Sequence, residues 1–366
     1  MLLQRIEANT KPGRDRAVDA LRAIAILGVV LGHWLVTALT VHGGRVAVTS
    51  LLQRVPVLVP ASWLFQTLAV FFFVGGLVAA RSPIPRYGPW LRARLTRLFR
   101  PVLALLSIWT TVALLSPLGP AGLSGLSQHT VLKLVLSPLW FLLVFAALSA
   151  ATPLVARLHP AWPVAVVAAV DAGRFGLGLP TWTGWINLAA GWLVPWCLGA
   201  TWSRGGLRAA SSAWALLLGG VAATLALVHW AGYPASMVGV PGQGLSNLNP
   251  PTLAAVTFGL AQCGAALLLM APLRRVLRRP AVWAAVALVN LSAMTIFLWH
   301  QSALIVTTLL ILLFAAGPLR GLHTSPDGFG WLAARIAWLP VFAAVLLVLC
   351  SAFRLYESTA RARPGG

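Results

Sequence analysis

Acidic side chains are scarce in this chain: Asp and Glu number six against 27 Lys and Arg in 366 residues, and charged residues of both signs make up 9% of it. A soluble globular domain carries about 25% charged residues, so the composition excludes one. With 59% hydrophobic residues and a mean hydropathy of +0.86, the sequence reads as a polytopic membrane protein. Cysteine is rarer still. Cys197, Cys263 and Cys350 each lie inside an apolar run, and an odd number without paired spacing provides neither a disulfide framework nor a zinc site. No metal is expected.

The formal net charge of +21 does not point to nucleic acid. That reading needs basic residues clustered on one soluble face with polar or aromatic readers between them, whereas here they fall in short loops between apolar runs. Internal repeats and composition shifts are also missing, so one membrane domain, 17–353, is expected between an N-terminal tail, 1–16, and a C-terminal tail, 354–366. A cleavable signal peptide is not visible, because the polar start through Arg14, Asp15 and Arg16 leads into a run too long for a signal segment. The first helix is expected to be retained.

Apolar runs of about 20 residues predict an all-α fold of about ten spans, near 17–40, 61–80, 101–119, 134–155, 162–180, 185–202, 213–231, 251–272, 284–316 and 331–353. The fifth is interrupted by Asp171, Gly173, Arg174, Gly176, Gly178 and Pro180 and reads as short or bent. The ninth is too long for one crossing, which makes 281–290 a separate broken or interfacial piece. Of the 27 basic residues, 21 lie in the tails, at the entry of the first span and in the even-numbered connections, and the positive-inside rule places that side and both termini in the cytoplasm. Arg45, Arg54, Lys133, Arg174, Arg320 and Arg335 are assigned to the opposite side, together with an external loop at 232–252. That loop ends where Asn249 and the two prolines after it are read as the start of the eighth span.

What the composition withholds elsewhere is present in the first span, DALRAIAILGVVLGHW, where Asp19, Arg22 and His33 are set into an apolar helix. Each ionisable group at bilayer depth costs roughly 2.5 to 3.5 kcal/mol, so these need partners or a task. Arg22 and His33 are eleven residues apart, three helical turns, and share a face with Asp19 one turn earlier. At 1.5 Å per residue they stand roughly 16 Å apart, about half the hydrocarbon thickness. This spacing suits a substrate reaching in from the basic side towards His33, whose neutral imidazole is a suitable general base for a hydroxyl. The plainer alternatives are a histidine hydrogen-bonded to a neighbouring helix and an Asp–Arg ion pair at a helix start.

Further along, Arg92, Arg94, Arg97 and Arg100 could cradle a phosphorylated ligand, since Arg makes bidentate phosphate contacts, although lipid headgroups account for such a cluster too. In NLSAMTIFLWHQSAL, Asn290 and His300 are polar groups that must find partners away from lipid. The pairs Trp140 with Phe141 and Trp192 with Trp196 read as interfacial anchors. Trp140 is kept with Asn290 and His300 as a candidate substrate contact or supporting residue.

These residues resemble acyltransferase family 3, the integral-membrane enzymes that move acyl groups onto sugars and other hydroxylated acceptors, and the likeness runs over most of the chain. The family's first-span signature, a basic residue, ten residues and a His, with an Asp three positions earlier, maps onto Asp19, Arg22 and His33. Its Arg-x-x-Arg pair resembles RLFRP at Arg97 and Arg100, with Arg94 and Arg97 fitting the spacing equally well. LWFLLVFAALSAATPL and TIFLWH resemble its aromatic run and its penultimate-span signature ending at His300. One departure is Gly75 in FFFVGG, where members commonly carry serine.

The resemblance implies a plasma-membrane acyltransferase using cytoplasmic acyl-CoA as co-substrate, with no tightly bound cofactor, and transferring a short acyl group. The acceptor would be a hydroxyl of a carbohydrate, a glycolipid or another cell-envelope or secondary-metabolite molecule. On it, His33, Asp19 and Arg22 form the catalytic set, His33 acting on the acceptor hydroxyl and Asp19 orienting Arg22, while Arg94, Arg97 and Arg100 join Arg22 in holding the CoA phosphates. Two other readings stay open. One is a transporter or exporter, which lacks carboxylate pairs because Asp171 is the only acidic residue in any later span; the other is a silent scaffold, for which the missing serine at Gly75 speaks.

Overall fold

A computed structural model describes residues 2–42, 45–115, 125–242 and 244–358. The end of the predicted third span from residue 116, position 243 of the loop 232–252 and the C-terminal tail from 359 lie outside the described residues. The chain opens with α1 (Leu2–Ala8) and α2 (Arg16–Val36), followed by a hairpin of β1 (Thr37–His42) and β2 (Arg45–Ser50). Short helices α3 (Leu51–Arg54) and α4 (Ser62–Phe65) lead to α5 (Leu68–Arg81) and α6 (Tyr87–Leu115). Then come α7 (Gly125–Leu136), α8 (Leu139–Val155), α9 (Ala161–Gly176), α10 (Ile186–Ser203) and α11 (Ala210–Trp230). The last are α12 (Leu253–Val276), α13 (Pro280–Leu291), α14 (Ala293–Phe314) and α15 (Phe329–Ser358).

Among the described residues eight helical stretches are long and apolar enough to cross a membrane, which agrees with an all-α polytopic protein whose one described sheet is the hairpin. The predicted fifth and sixth spans fall on α9 and α10, which are not among the eight. α9 has 16 residues and stops before Gly178 and Pro180, and α10 interleaves Trp, Gly, Pro and Asn with its apolar residues. α10 is instead the packed centre, with Asn187, Trp196, Cys197 and Ala200 wholly buried. It crosses α5 with backbones almost touching: a Cβ on Gly76 would sit 2.1 Å from the Trp196 carbonyl oxygen, and one on Gly199 would sit 2.0 Å from that of Phe73. Only glycine permits such an approach, the small-residue contact that membrane helices use.

The long ninth run is two helices, as its length requires: α13 ends at Leu291, Ser292 breaks it, and α14 carries the crossing. Two expectations are corrected. The first span stops at Val36 instead of continuing to residue 40, because the β-branched alternation on either side of Gly43–Gly44 favours a hairpin over helix; it pairs Thr37 with Ser50 through to His42 with Arg45. α12 is capped by Thr252, whose hydroxyl accepts from the Ala255 N–H, and not by Asn249. Of the basic residues assigned to the opposite side, Arg335 is completely buried and the Arg174 side chain is 9% exposed beside Asp171.

Candidate active site

α2 positions the first three candidates. Asp19 lies in its first turn, where a carboxylate is favoured by the helix dipole, and it is clasped by Arg14, with Nε at 2.6 Å and Nη2 at 3.1 Å. Arg22 stands one turn on, its Nη1 4.0 Å from Asp19. The tight ion pair therefore belongs to Arg14, and Arg22 keeps most of its donors for whatever lies in front of it. The Asn290 amide, from the end of α13, donates to the Asp19 carbonyl at 2.8 Å and so ties this turn to the break before α14.

In front of Arg22 is a cavity of about 670 Å³ enclosed by α2, α5, α6, α8, α13 and α14. Arg22, Arg94 and Arg97 contribute cationic side chains to its wall, and Asn290 an amide. Asn290 Oδ1 has no protein hydrogen-bond partner. The rest of the wall is apolar and largely aromatic. Phe71 meets Phe141 edge-on at 5.0 Å, Phe141 contacts Phe297 at 5.1 Å, and Phe145 lies 5.3 Å from Phe71. A ligand with an anionic head and an apolar end matches this division of charge.

Phe297 links the cavity to the histidines. Its carbonyl is 2.6 Å from His300 Nδ1, and because a carbonyl only accepts, Nδ1 carries the hydrogen. Nε2 of the neutral ring is then a bare acceptor, and it has no protein partner. The His300 ring lies 5.2 Å from that of His33 between centroids, so the two imidazoles are neighbours.

The structure thus brings together Arg22, Arg94, Arg97 and Asn290 in one wall, and His33 with His300 beyond it. Arg100 and Trp140 are not in that wall; Trp140 packs on Phe141 and Trp192. Gly75 is in it, and a Cβ there would come within 2.6 Å of Phe145 and 2.8 Å of Trp196. Two aromatic rings take up the space a serine would need. Of the wall's phenylalanines only Phe141 was singled out from sequence, and then as an interfacial anchor; Phe71, Phe145, Phe297 and the tryptophan after His33 were given no role, since apolar residues in apolar helices carry no distinguishing signal. A second cavity, of about 300 Å³ between α6, α7, α14 and α15, is lined by apolar residues with Gln128 and Ser302 and contains no titratable side chain. Among the described residues no group of three metal-ligating side chains occurs.

Comparison with known proteins returns one assignment. No curated protein and no solved structure matches the chain. The family described as acyltransferase domain matches residues 15–356, from the residue before α2 almost to the end of α15. The chain therefore belongs to acyltransferase family 3, and it is a membrane acyltransferase on the strength of that membership.

Proposed function

We propose that this protein transfers a short acyl group from acyl-CoA to a hydroxyl of a carbohydrate, glycolipid or other cell-envelope or secondary-metabolite acceptor in the plasma membrane. The observation that carries the reading is the continuity from Arg22, Arg94 and Arg97 through one cavity to Phe297, and from the Phe297 carbonyl to His300 and His33. The CoA phosphates meet the three guanidinium groups at the basic, cytoplasmic side. The pantetheine arm enters among the phenylalanines, and the thioester is carried towards His33.

There His33 takes the proton of the acceptor hydroxyl as its oxygen attacks the thioester carbonyl. The C–O bond forms, the C–S bond breaks, and the CoA thiolate recovers the proton from His33. His300 Nε2, a bare acceptor, steadies the imidazolium that His33 becomes between these two transfers. No metal and no bound cofactor enters the scheme; acyl-CoA is the co-substrate. Detergent-purified protein tests it by binding of radiolabelled acetyl-CoA and by release of free CoA with envelope glycans added. Wild type should bind and release, and His33→Ala should bind without release. Release by a folded His33→Ala protein removes His33 from the mechanism, and absence of both binding and release in folded wild type favours a transporter.

A further inference from the structure

Arg335 is wholly buried in the second turn of α15, and among the described residues no carboxylate pairs with it. A guanidinium at such depth persists only where its donors are met. They are met by backbone carbonyls from two segments. Nε donates to Trp34 at 2.6 Å, Nη1 donates to Gly321 at 2.7 Å, and Nη2 donates to Thr37. The rings of Trp331 and Phe342 lie against the guanidinium, its carbon 5.2 Å and 4.8 Å from their centroids.

Two of these carbonyls belong to the last turn of α2 and its cap, where helical acceptors run out of intrahelical donors and where a cation is favoured by the dipole. The same turn holds His33. Its carbonyl accepts from the Thr37 N–H, the next carbonyl, of Trp34, accepts from Arg335, and the Trp34 indole donates to the carbonyl of His300 at 2.9 Å. One turn of helix is thereby fastened to α15 through Arg335 and to α14 through Trp34, at the residue that follows His33. A planar fork spreads its donors over three nitrogens and so spans separated carbonyls, whereas an ammonium group holds its three donors on one atom.

We infer that Arg335 is a positioning residue, which sets the height and orientation of His33 against His300 by clamping the end of α2. This inference rests on the catalytic role proposed for His33. Arg335 does not line the cavity that receives the donor, so its effect falls on turnover and not on donor binding. A displacement of about 1 Å at a reacting group can cost on the order of a hundredfold in rate.

The test uses full-length protein in detergent with Arg335→Lys, Arg335→Gln, Trp34→Phe and His33→Ala beside wild type, reading acetyl-CoA affinity, donor KM and kcat for CoA release. Arg335→Lys should keep donor affinity and KM within about twofold while kcat falls by about tenfold or more, with Arg335→Gln lower again. Trp34→Phe, which removes the indole donor and keeps an aromatic ring, should lower kcat in the same direction with affinity unchanged; it stands as the test if both Arg335 variants fail to fold. Wild-type kcat in folded Arg335→Lys and Trp34→Phe, or an equal loss of donor affinity and turnover, overturns the assignment while leaving His33 in place if His33→Ala is inactive. Activity in His33→Ala overturns both.

Discussion

The imidazole of His300 stands 5.2 Å from that of His33, ring centre to ring centre, at an interplanar angle of 40°. The two come from helices α2 and α14, separated by most of the sequence. The Phe297 carbonyl fixes the His300 tautomer, leaving Nε2 as an acceptor.

From this pair follows the first expected outcome. His300→Phe keeps an aromatic ring, although a larger one, and removes the acceptor, so it should reduce turnover by about 10²-fold, the lower range for a group that assists proton transfer, while acetyl-CoA affinity stays at the wild-type value. Steady-state CoA release and equilibrium donor binding on the same preparation check it. Undiminished turnover would confine His300 to packing.

Much of this site was legible in the sequence, and the physical reasons differ by residue. Asp19, Arg22 and His33 stood out because ionisable groups are expensive in a bilayer and because eleven residues close three turns of helix. The split between α13 and α14 followed from length alone. Arg335 was missed although it lies inside the predicted span 331–353, because a basic residue near a span's end is read as surface by default. The hairpin was missed because a hydropathy window does not separate a β-branched apolar strand from the end of an apolar helix. The aromatic wall was beyond reach, since Phe71, Phe141, Phe145 and Phe297 meet only through the tertiary arrangement.

The three arginines of the cavity wall should not be equal. Arg22 and Arg94 are partly buried and Arg97 is exposed. A charge-assisted hydrogen bond is worth about 1.5–3 kcal/mol where water is excluded and far less at an exposed site. Arg22→Gln and Arg94→Gln should therefore weaken acetyl-CoA binding about tenfold or more, and Arg97→Gln by less. Dephospho-CoA competition supplies the control: a variant that has lost a phosphate contact discriminates less between the two forms. Identical affinities in all three variants and wild type would remove the phosphates from this wall.

Gly75 yields a prediction about stability and shape together. A serine there places Cβ 2.6 Å from a Phe145 ring carbon and 2.8 Å from one of Trp196, and overpacking of this kind typically costs about 1–3 kcal/mol. Gly75→Ser should lower the thermal unfolding midpoint in detergent and weaken donor binding by pushing Phe145 into the cavity it lines. Paired substitution with Phe145→Leu should recover both. A Gly75→Ser protein as stable and as tightly binding as wild type would show that the two rings yield without cost.

Asp171 offers the sharpest test of what holds the helices around the site. It is 1% exposed and accepts from the Asn187 amide at 2.9 Å, the Tyr233 hydroxyl at 3.0 Å and the Leu253 N–H at 2.7 Å, with Arg174 at 3.8 Å. One carboxylate thus joins α9, α10, the segment after α11 and the first turn of α12, where Leu253 supplies a donor that the helix itself cannot use. Burial first, and then the Asp171 carboxylate, push the Tyr233 phenol up from its ordinary value, so it remains a donor throughout the neutral range. Asp171→Asn leaves Arg174 buried without its counter-charge, a loss of about 3–5 kcal/mol, whereas Tyr233→Phe removes one hydrogen bond to a carboxylate, about 1.5–3 kcal/mol. Unfolding midpoints in detergent should fall in that order, with acetyl-CoA affinity unchanged in the folded fraction of each, because neither residue lines the arginine cavity. The reverse order would mean that the charge of Asp171 contributes less than the packing of the Tyr233 ring, which contacts Phe175 at 5.4 Å.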